Sequence, residues 1–172
     1  MIRLRVAGKI WVMTGTPATV TLDKAGVAYT LHPYSHDDRA DSYGEEAAAA
    51  LEVDPRRIFK TLIASVDGRL VCGVVPVAGK LNLKALAAAA DGKKAEMAEP
   101  AKAKRATGYV LGGISPLGGR KRLPTLLDSS ALGQATLLVS AGQRGLQMEL
   151  SPADLVQLTA AVTAELTVQT GS

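Results

Sequence analysis

The sequence predicts a single α+β domain organised around a mixed β-sheet, and three observations lead there. Helical and strand patterns alternate without the strict strand–helix–strand order of a parallel fold, and several strand pairs have the composition of antiparallel hairpins. No internal repeat and no Gly/Ser/Pro-rich linker divides the 172 residues, a length that suits one domain with a full core. A 47% hydrophobic content with 21% charge is that of a soluble globular protein, and with only 3% aromatics the core must be aliphatic and alanine-rich.

Taken in order, residues 1 to 12 read differently from the rest, as an extension or the product of an upstream start codon. Thr14-Gly15-Thr16-Pro17 then signals a helix, with Thr16 as N-cap and Pro17 at its first position, and Gly26 stops it. Residues 29 to 34 suit a short strand that Pro33 confines to an edge or an end. Tyr43 to Leu51 is an alanine-rich helix with Glu45 and Glu46 in its first turn, and Asp54-Pro55 starts a further helical turn. Ile58–Val66 and Leu70–Val77, joined by Asp67-Gly68, form the clearest hairpin in the chain. Asn82 caps a helix reaching Ala90, and Pro100 opens another over Glu99–Ala106. Ala135–Val139 is a strand followed by a turn of small residues over Ser140–Gly145. Leu146–Leu150 alternates as a half-buried strand should, and Ser151-Pro152 starts a last helix with Leu155, Leu158, Ala161 and Val162 on one face.

No apolar run approaches the roughly 20 residues that span a bilayer, and the basic N-terminus lacks the apolar core of a signal peptide. Cys72 is the sole cysteine, which fits a reducing cytoplasm and a small core residue in a strand. Charge is uneven. Residues 93 to 122 hold eight basic residues against Glu96 and Glu99, a local excess of +6 within a total of +4. Such a patch either attracts a polyanion such as nucleic acid or is a solvated face.

Residues 108 to 118 hold four glycines and one proline, so they form neither a helix interior nor a central strand. The neighbouring Val110, Leu111, Ile114 and Leu117 are apolar. The loop is thus either a tight connection or a ligand cradle of bare backbone N–H groups, with Arg120, Lys121 and Arg122 at its rim. It has neither a Walker ending nor dinucleotide-binding spacing. Lys60 lies inside an apolar strand, where it is either an outward-facing residue or a partly buried cation. His32 and His36 are separated by Pro33, which denies them a shared helix face, so no zinc site and no cofactor are expected. There is no nucleophile elbow. An enzyme built this way depends on positioning, backbone donors and a group from its substrate.

Phe59-Lys60-Thr61-Leu62, residues 76 to 83, Thr107 through Gly118, residues 121 to 125 and Arg144-Gly145-Leu146 together resemble the YbaK family of aminoacyl-tRNA deacylases. Free-standing Cys-tRNA(Pro) deacylases, related to the editing domain of some prolyl-tRNA synthetases, are the most similar in these motifs. The resemblance runs from about Thr16 to the last helix. It implies a curved, barrel-like mixed sheet flanked by helices, with residues 14–168 as the editing domain, 1–13 as an extension and 169–172 as a tail. It implies cytoplasmic hydrolysis of mischarged tRNA without a metal, the substrate's own thiol attacking its ester to release a thiolactone. Prolyl-tRNA synthetase is a further implied partner. By motif, Lys60, Gly112 and Gly113 carry catalysis, while Tyr34, Ser115, Pro116, Arg144 and Gln147 contact substrate. Arg120, Lys121 and Arg122 are assigned to the tRNA. Gln147 departs from the family, whose similar members have an acidic residue there to attract the α-ammonium, and the loop after His36 lacks the frequent proline. The alternatives implied are a non-catalytic tRNA- or synthetase-binding module, and a deacylase for another small amino acid.

Overall fold

The computed structural model describes residues 2–6, 9–13 and 15–168, the first two segments as backbone only. Strands β1 (Ile2–Val6) and β2 (Lys9–Met13) pair antiparallel with each other and, among the described residues, join no other sheet. The expected tail at 169–172 lies outside the described residues.

Helix α1 (Pro17–Ala25) begins where the sequence predicts. Thr16 and Thr19 form a reciprocal capping box, and Gly26 closes the helix at φ 67°. The Thr16 hydroxyl also donates to the Ala141 carbonyl, which fixes the start of the helix to a distant strand. Strand β3 (Thr30–Pro33) is an edge strand. Helix α2 (Tyr43–Leu51) is capped by the Ser42 side chain, which accepts from the Glu45 N–H. The helical turn expected at Asp54-Pro55 is instead a single hydrogen-bonded turn, Arg57 N–H to Asp54 O at 2.8 Å. The Asp54 side chain accepts from the Arg56 N–H and holds the chain in that turn before it straightens into a strand.

The hairpin of β4 (Phe59–Val66) and β5 (Arg69–Pro76) is the spine of the fold. Asp67 and Gly68 both take positive φ, as a two-residue hairpin turn requires. The chain continues through β6 (Lys80–Leu81), α3 (Leu83–Ala89), β7 (Ala95–Met97), α4 (Pro100–Thr107) and β8 (Thr125–Asp128). It ends with β9 (Leu137–Gln143), β10 (Leu146–Leu150), α5 (Pro152–Thr159), β11 (Val162–Ala164) and β12 (Thr167–Val168). A five-stranded mixed sheet has the order β11-β8-β5-β4-β7, and a three-stranded antiparallel sheet has the order β3-β10-β9. A parallel bridge, Ile58 to Leu138, joins them. Among the described residues the strands do not close into a barrel, so the expected barrel-like curvature is that of two sheets meeting at one seam.

Two expectations fail at long-range pairings. The turn expected over Ser140–Gly145 is narrower, because β9 continues through Gln143 opposite β10. Helix α5 stops at Thr159, with Ala160 left-handed at φ 53°, so Ala161 and Val162 leave the helix and Val162 pairs in parallel with β8. The main core lies between the sheets and includes Leu22, Phe59, Leu127, Leu137, Met148 and Leu155. A second cluster under α3 holds Val66, Val75, Leu86, Leu126 and Leu166. Each such side chain contributes about 1.5–3 kcal/mol by leaving water, and together they hold the hairpin in place for the site.

Candidate active site

Where β4 passes the glycine-rich loop, a cleft of about 230 Å³ opens. Lys60, Thr61 and Leu62 of β4 line it, with Leu111, Gly112 and Ile114 of the loop, Tyr43 at the start of α2, and Ser140 and Gln147 of the second sheet. The cleft therefore sits at the seam between the two sheets.

Lys60 is half-buried, and that burial holds its pKa below the usual lysine value, partly opposed by the charge of Glu45. Among the described residues no carboxylate lies within ion-pair distance of Lys60. Thr61 Oγ1 and Gln147 Oε1 are buried with no hydrogen-bond partner among the described residues. Leaving such atoms unpaired costs about 1–3 kcal/mol each.

The loop is held from both ends. The Tyr109 hydroxyl donates to the Leu117 carbonyl at 2.7 Å, and Arg144 Nε donates to the Leu111 carbonyl at 2.8 Å. The Arg144 guanidinium also lies 4.8 Å from the centroid of the Tyr43 ring, a cation–π contact. Gly112 has φ +83°, and a Cβ there would stand 2.6 Å from the Tyr43 ring. No side chain fits between them. The Gly112 N–H has no partner among the described residues, whereas the Gly113 N–H already donates to Val110 O at 2.9 Å. Gly113 is buried against the backbone of Gln143 and Arg144 and does not line the cleft.

The sequence-assigned residues are thus divided. Lys60, Gly112 and Gln147 meet in the cleft. Tyr34 is 7% exposed and packs with Ala47, Ala48, Ile58 and Leu138 behind it. Arg144 braces the loop from outside. Ser115 is buried, its Oγ accepting from the Leu117 N–H, and with Pro116 it lines a different cavity beyond the loop. Arg120, Lys121 and Arg122 are exposed, the last two at the rim of that second cavity. Cys72 is buried and its thiol is pushed up to about 12 by burial, which keeps it protonated near neutrality. His32 and His36 pair with different carboxylates, Glu149 and Glu46, each at 2.7 Å. Sequence reasoning missed Tyr43, Thr61 and Ser140. Thr61 stands beside Lys60 in the same motif, so adjacency was a usable signal there. Nothing local marks Tyr43 or Ser140.

Residues 37–158 match the aminoacyl-tRNA editing domain family. Over 127 residues the chain is 40% identical to EbsC of Enterococcus faecalis, named as a candidate Cys-tRNA(Pro)/Cys-tRNA(Cys) deacylase, covering 73% of this chain and 77% of that protein. It is 33% identical over 96 residues to a proline–tRNA ligase of Acidithiobacillus ferrooxidans, covering 56% of this chain but only 17% of the ligase. A crystal structure described as a candidate trans-editing enzyme for prolyl-tRNA synthetase has the same fold, with a TM-score of 0.79 and 24% identity over 88% of this chain and 95% of that one. A second, of a protein described only as hypothetical, has a TM-score of 0.79 and 26% identity over 89% and 100%. With the family matched across most of its length, and with the hairpin lysine and glycine-rich loop brought to one cleft, the chain belongs to the aminoacyl-tRNA editing domain family, the YbaK family of deacylases.

Proposed function

We propose that this chain is a trans-acting editing hydrolase that removes the amino acid from mischarged tRNA, with Cys-tRNA(Pro) as its principal substrate. One observation carries the reading. Among the described residues, a lysine outside any ion pair shares a small cleft with an unpaired backbone N–H at Gly112 and two unpartnered acceptors, Thr61 Oγ1 and Gln147 Oε1. A cation and a fixed donor suit the oxyanion that develops when an ester carbonyl is attacked, or a phosphate of the terminal nucleotide. In this scheme Lys60 and Gly112 face the developing charge, and Gly113 keeps the loop close to the neighbouring turn. Gln147 and Thr61 accept from the α-amino group or the ribose hydroxyls. Tyr34, Ser115, Pro116 and Arg144 shape and brace the site from outside the cleft.

No protein nucleophile is required for a cysteinyl ester. The substrate thiolate attacks its own ester carbonyl, forming an S–C bond. The tetrahedral intermediate then expels the ribose oxygen, which takes up a proton, and a thiolactone leaves. The reaction runs in the cytoplasm on free mischarged tRNA, with association with prolyl-tRNA synthetase as an added means of capture. A second reading, removal of another small amino acid, is favoured by Gln147, because a neutral amide attracts an α-ammonium less strongly than a carboxylate does. The test is a deacylation panel of proline tRNA charged with cysteine, alanine, serine or proline. Cysteine is released fastest and proline is retained. Binding of tRNA with no release from any of the four overturns the hydrolase reading and leaves a binding module.

A further inference from the structure

Beyond the glycine-rich loop lies a second cavity, of about 220 Å³, that the proposed chemistry does not use. It adjoins the cleft. Ile114 lines the cleft and the next residue, Ser115, lines the cavity. On β4, Thr61 lines one and Ile63 the other, two residues or about 7 Å apart along a strand.

The lining has a consistent chemistry. Thr21, Thr107, Thr125 and Thr159 each donate their hydroxyl proton to a backbone carbonyl, of Pro17, Ala103, Leu123 and Leu155 respectively. With those protons committed, the hydroxyl oxygens can serve a ligand only as acceptors, and that of Thr107 already accepts from the Tyr109 N–H at 3.1 Å. Ile63, Leu117, Leu123 and Leu158 add apolar walls. The rim is cationic. The N–H groups of Arg120 and Lys121 donate to Thr107 O and Ala106 O, folding the basic triplet onto the last turn of α4, where Lys104 and Arg105 stand. All five cations are exposed, and among the described residues none is in an ion pair.

An acceptor-bearing cavity with apolar walls, Lys121 and Arg122 at its mouth and three more cations close by fits a nucleobase that bears an amino group, with its phosphates on the rim. Every tRNA ends in cytosine-cytosine-adenosine, so the base next to the terminal adenosine is a cytosine. We propose that this cavity holds that penultimate cytosine, while the aminoacylated adenosine occupies the cleft. The proposal rests on the deacylase reading for its choice of RNA.

The test measures binding and cleavage separately. Short uncharged RNA ending in CCA competes for the protein against the same RNA ending in CUA, since uracil replaces the amino donor of cytosine by a carbonyl acceptor. The parent binds the CCA end at least tenfold more tightly. Thr21→Trp, at a half-buried helix position whose hydroxyl bonds only to its own helix, fills the mouth of the cavity and removes that difference. Arg122→Ala weakens both RNAs alike and lowers the salt slope by about 0.7 for each phosphate no longer neutralised. Equal binding of the two RNAs by the parent overturns the proposal, as does a preference that survives Thr21→Trp in a folded variant. If that variant does not fold, the comparison of the two RNAs on the parent decides alone. Deacylation of cysteinyl-tRNA by the parent is scored in parallel, so failure of the hydrolase reading and failure of the cytosine site are read from different assays.

Discussion

Gly112→Ala, taken with Tyr43→Ala, offers a direct probe of how the loop is held against the cleft. Two penalties act on the alanine. At φ +83° any L-residue is strained, by about 1–2 kcal/mol, whatever surrounds it. The new methyl also stands 2.6 Å from the Tyr43 ring, and overpacking of that kind costs about 1–3 kcal/mol. At roughly 2–4 °C per kcal/mol for a chain of this size, the two lower Tm by about 4–20 °C. Tyr43→Ala removes the ring and so abolishes the second penalty but not the first. Urea unfolding of the parent, both single variants and the double variant should therefore give a coupling energy of about 1–3 kcal/mol, with the double variant more stable than additivity allows. In Gly112→Ala the displaced ring deforms the cleft wall, and kcat/KM falls at least tenfold. Gly113→Ala is the control, because its methyl meets the Gln143 and Arg144 backbone at 3.0 Å, where Tyr43→Ala gives no relief. Additive stabilities for Gly112 and Tyr43, within about 0.5 kcal/mol, would refute the steric account.

Lys60→Ala should lower kcat/KM by well over tenfold with the fold retained, and activity within threefold of the parent removes Lys60 from the mechanism. Because burial lowers the Lys60 pKa, the folded state binds its proton less readily than the unfolded chain. Stability therefore rises as pH climbs from the folded pKa to the ordinary lysine value near 10.4, and Lys60→Met loses that rise in pH-dependent unfolding. For cysteinyl-tRNA, mass spectrometry should find a thiolactone as the first product. Seryl-tRNA is cleaved much more slowly and Cys72→Ser changes neither rate, since the buried Cys72 thiol stays protonated; equal cleavage of both esters without thiolactone points to an attacking water instead. Glu149 is held below the usual carboxylate range first by its hydrogen bond from Thr136 and then by His32 and Arg57. Its contribution is present above the unfolded pKa and lost as pH falls through the folded one, so Glu149→Gln should flatten acid unfolding below about pH 4.5.

The parts of this fold legible in the sequence are those fixed within a few residues. Thr16, Asn82 and Ser151 announce their helices because a cap needs only its own side chain and the next turn. Asp67-Gly68 fixes the hairpin for the same reason. Strand β8 was not legible, since four residues after a proline acquire a direction only by pairing in parallel with β5. The end of α5 was hidden likewise, in a left-handed alanine that only the β11–β8 pairing explains. At the site, Lys60 and Gly112 were found through motifs. The separation of Ser115 from Gly112 was not, because nearby residues of an irregular loop face different cavities and no periodicity records which. Tyr43 was missed because its role is to stand where Gly112 has no side chain, a contact between residues nearly seventy positions apart.

The seam between the sheets has a dynamic consequence. The backbone hydrogen bond at the Ile58–Leu138 bridge runs from the Leu138 N–H to Arg57 O, at 2.9 Å, and the Arg57 side chain reaches across to Thr136 and Glu149. Lys60 and Thr61 lie on one side of this joint and Ser140 and Gln147 on the other. Few backbone hydrogen bonds cross this seam, where apolar packing holds the sheets together, whereas each wall is a multi-stranded unit with its own ladder. Units of that kind open independently of global unfolding. Amide exchange at Leu138 should be faster than at Val74 or Met148 in the sheet interiors, and a bound acceptor end that touches both walls should slow it selectively. Slowing confined to Leu138 would then report that the bound end touches both sheets at once.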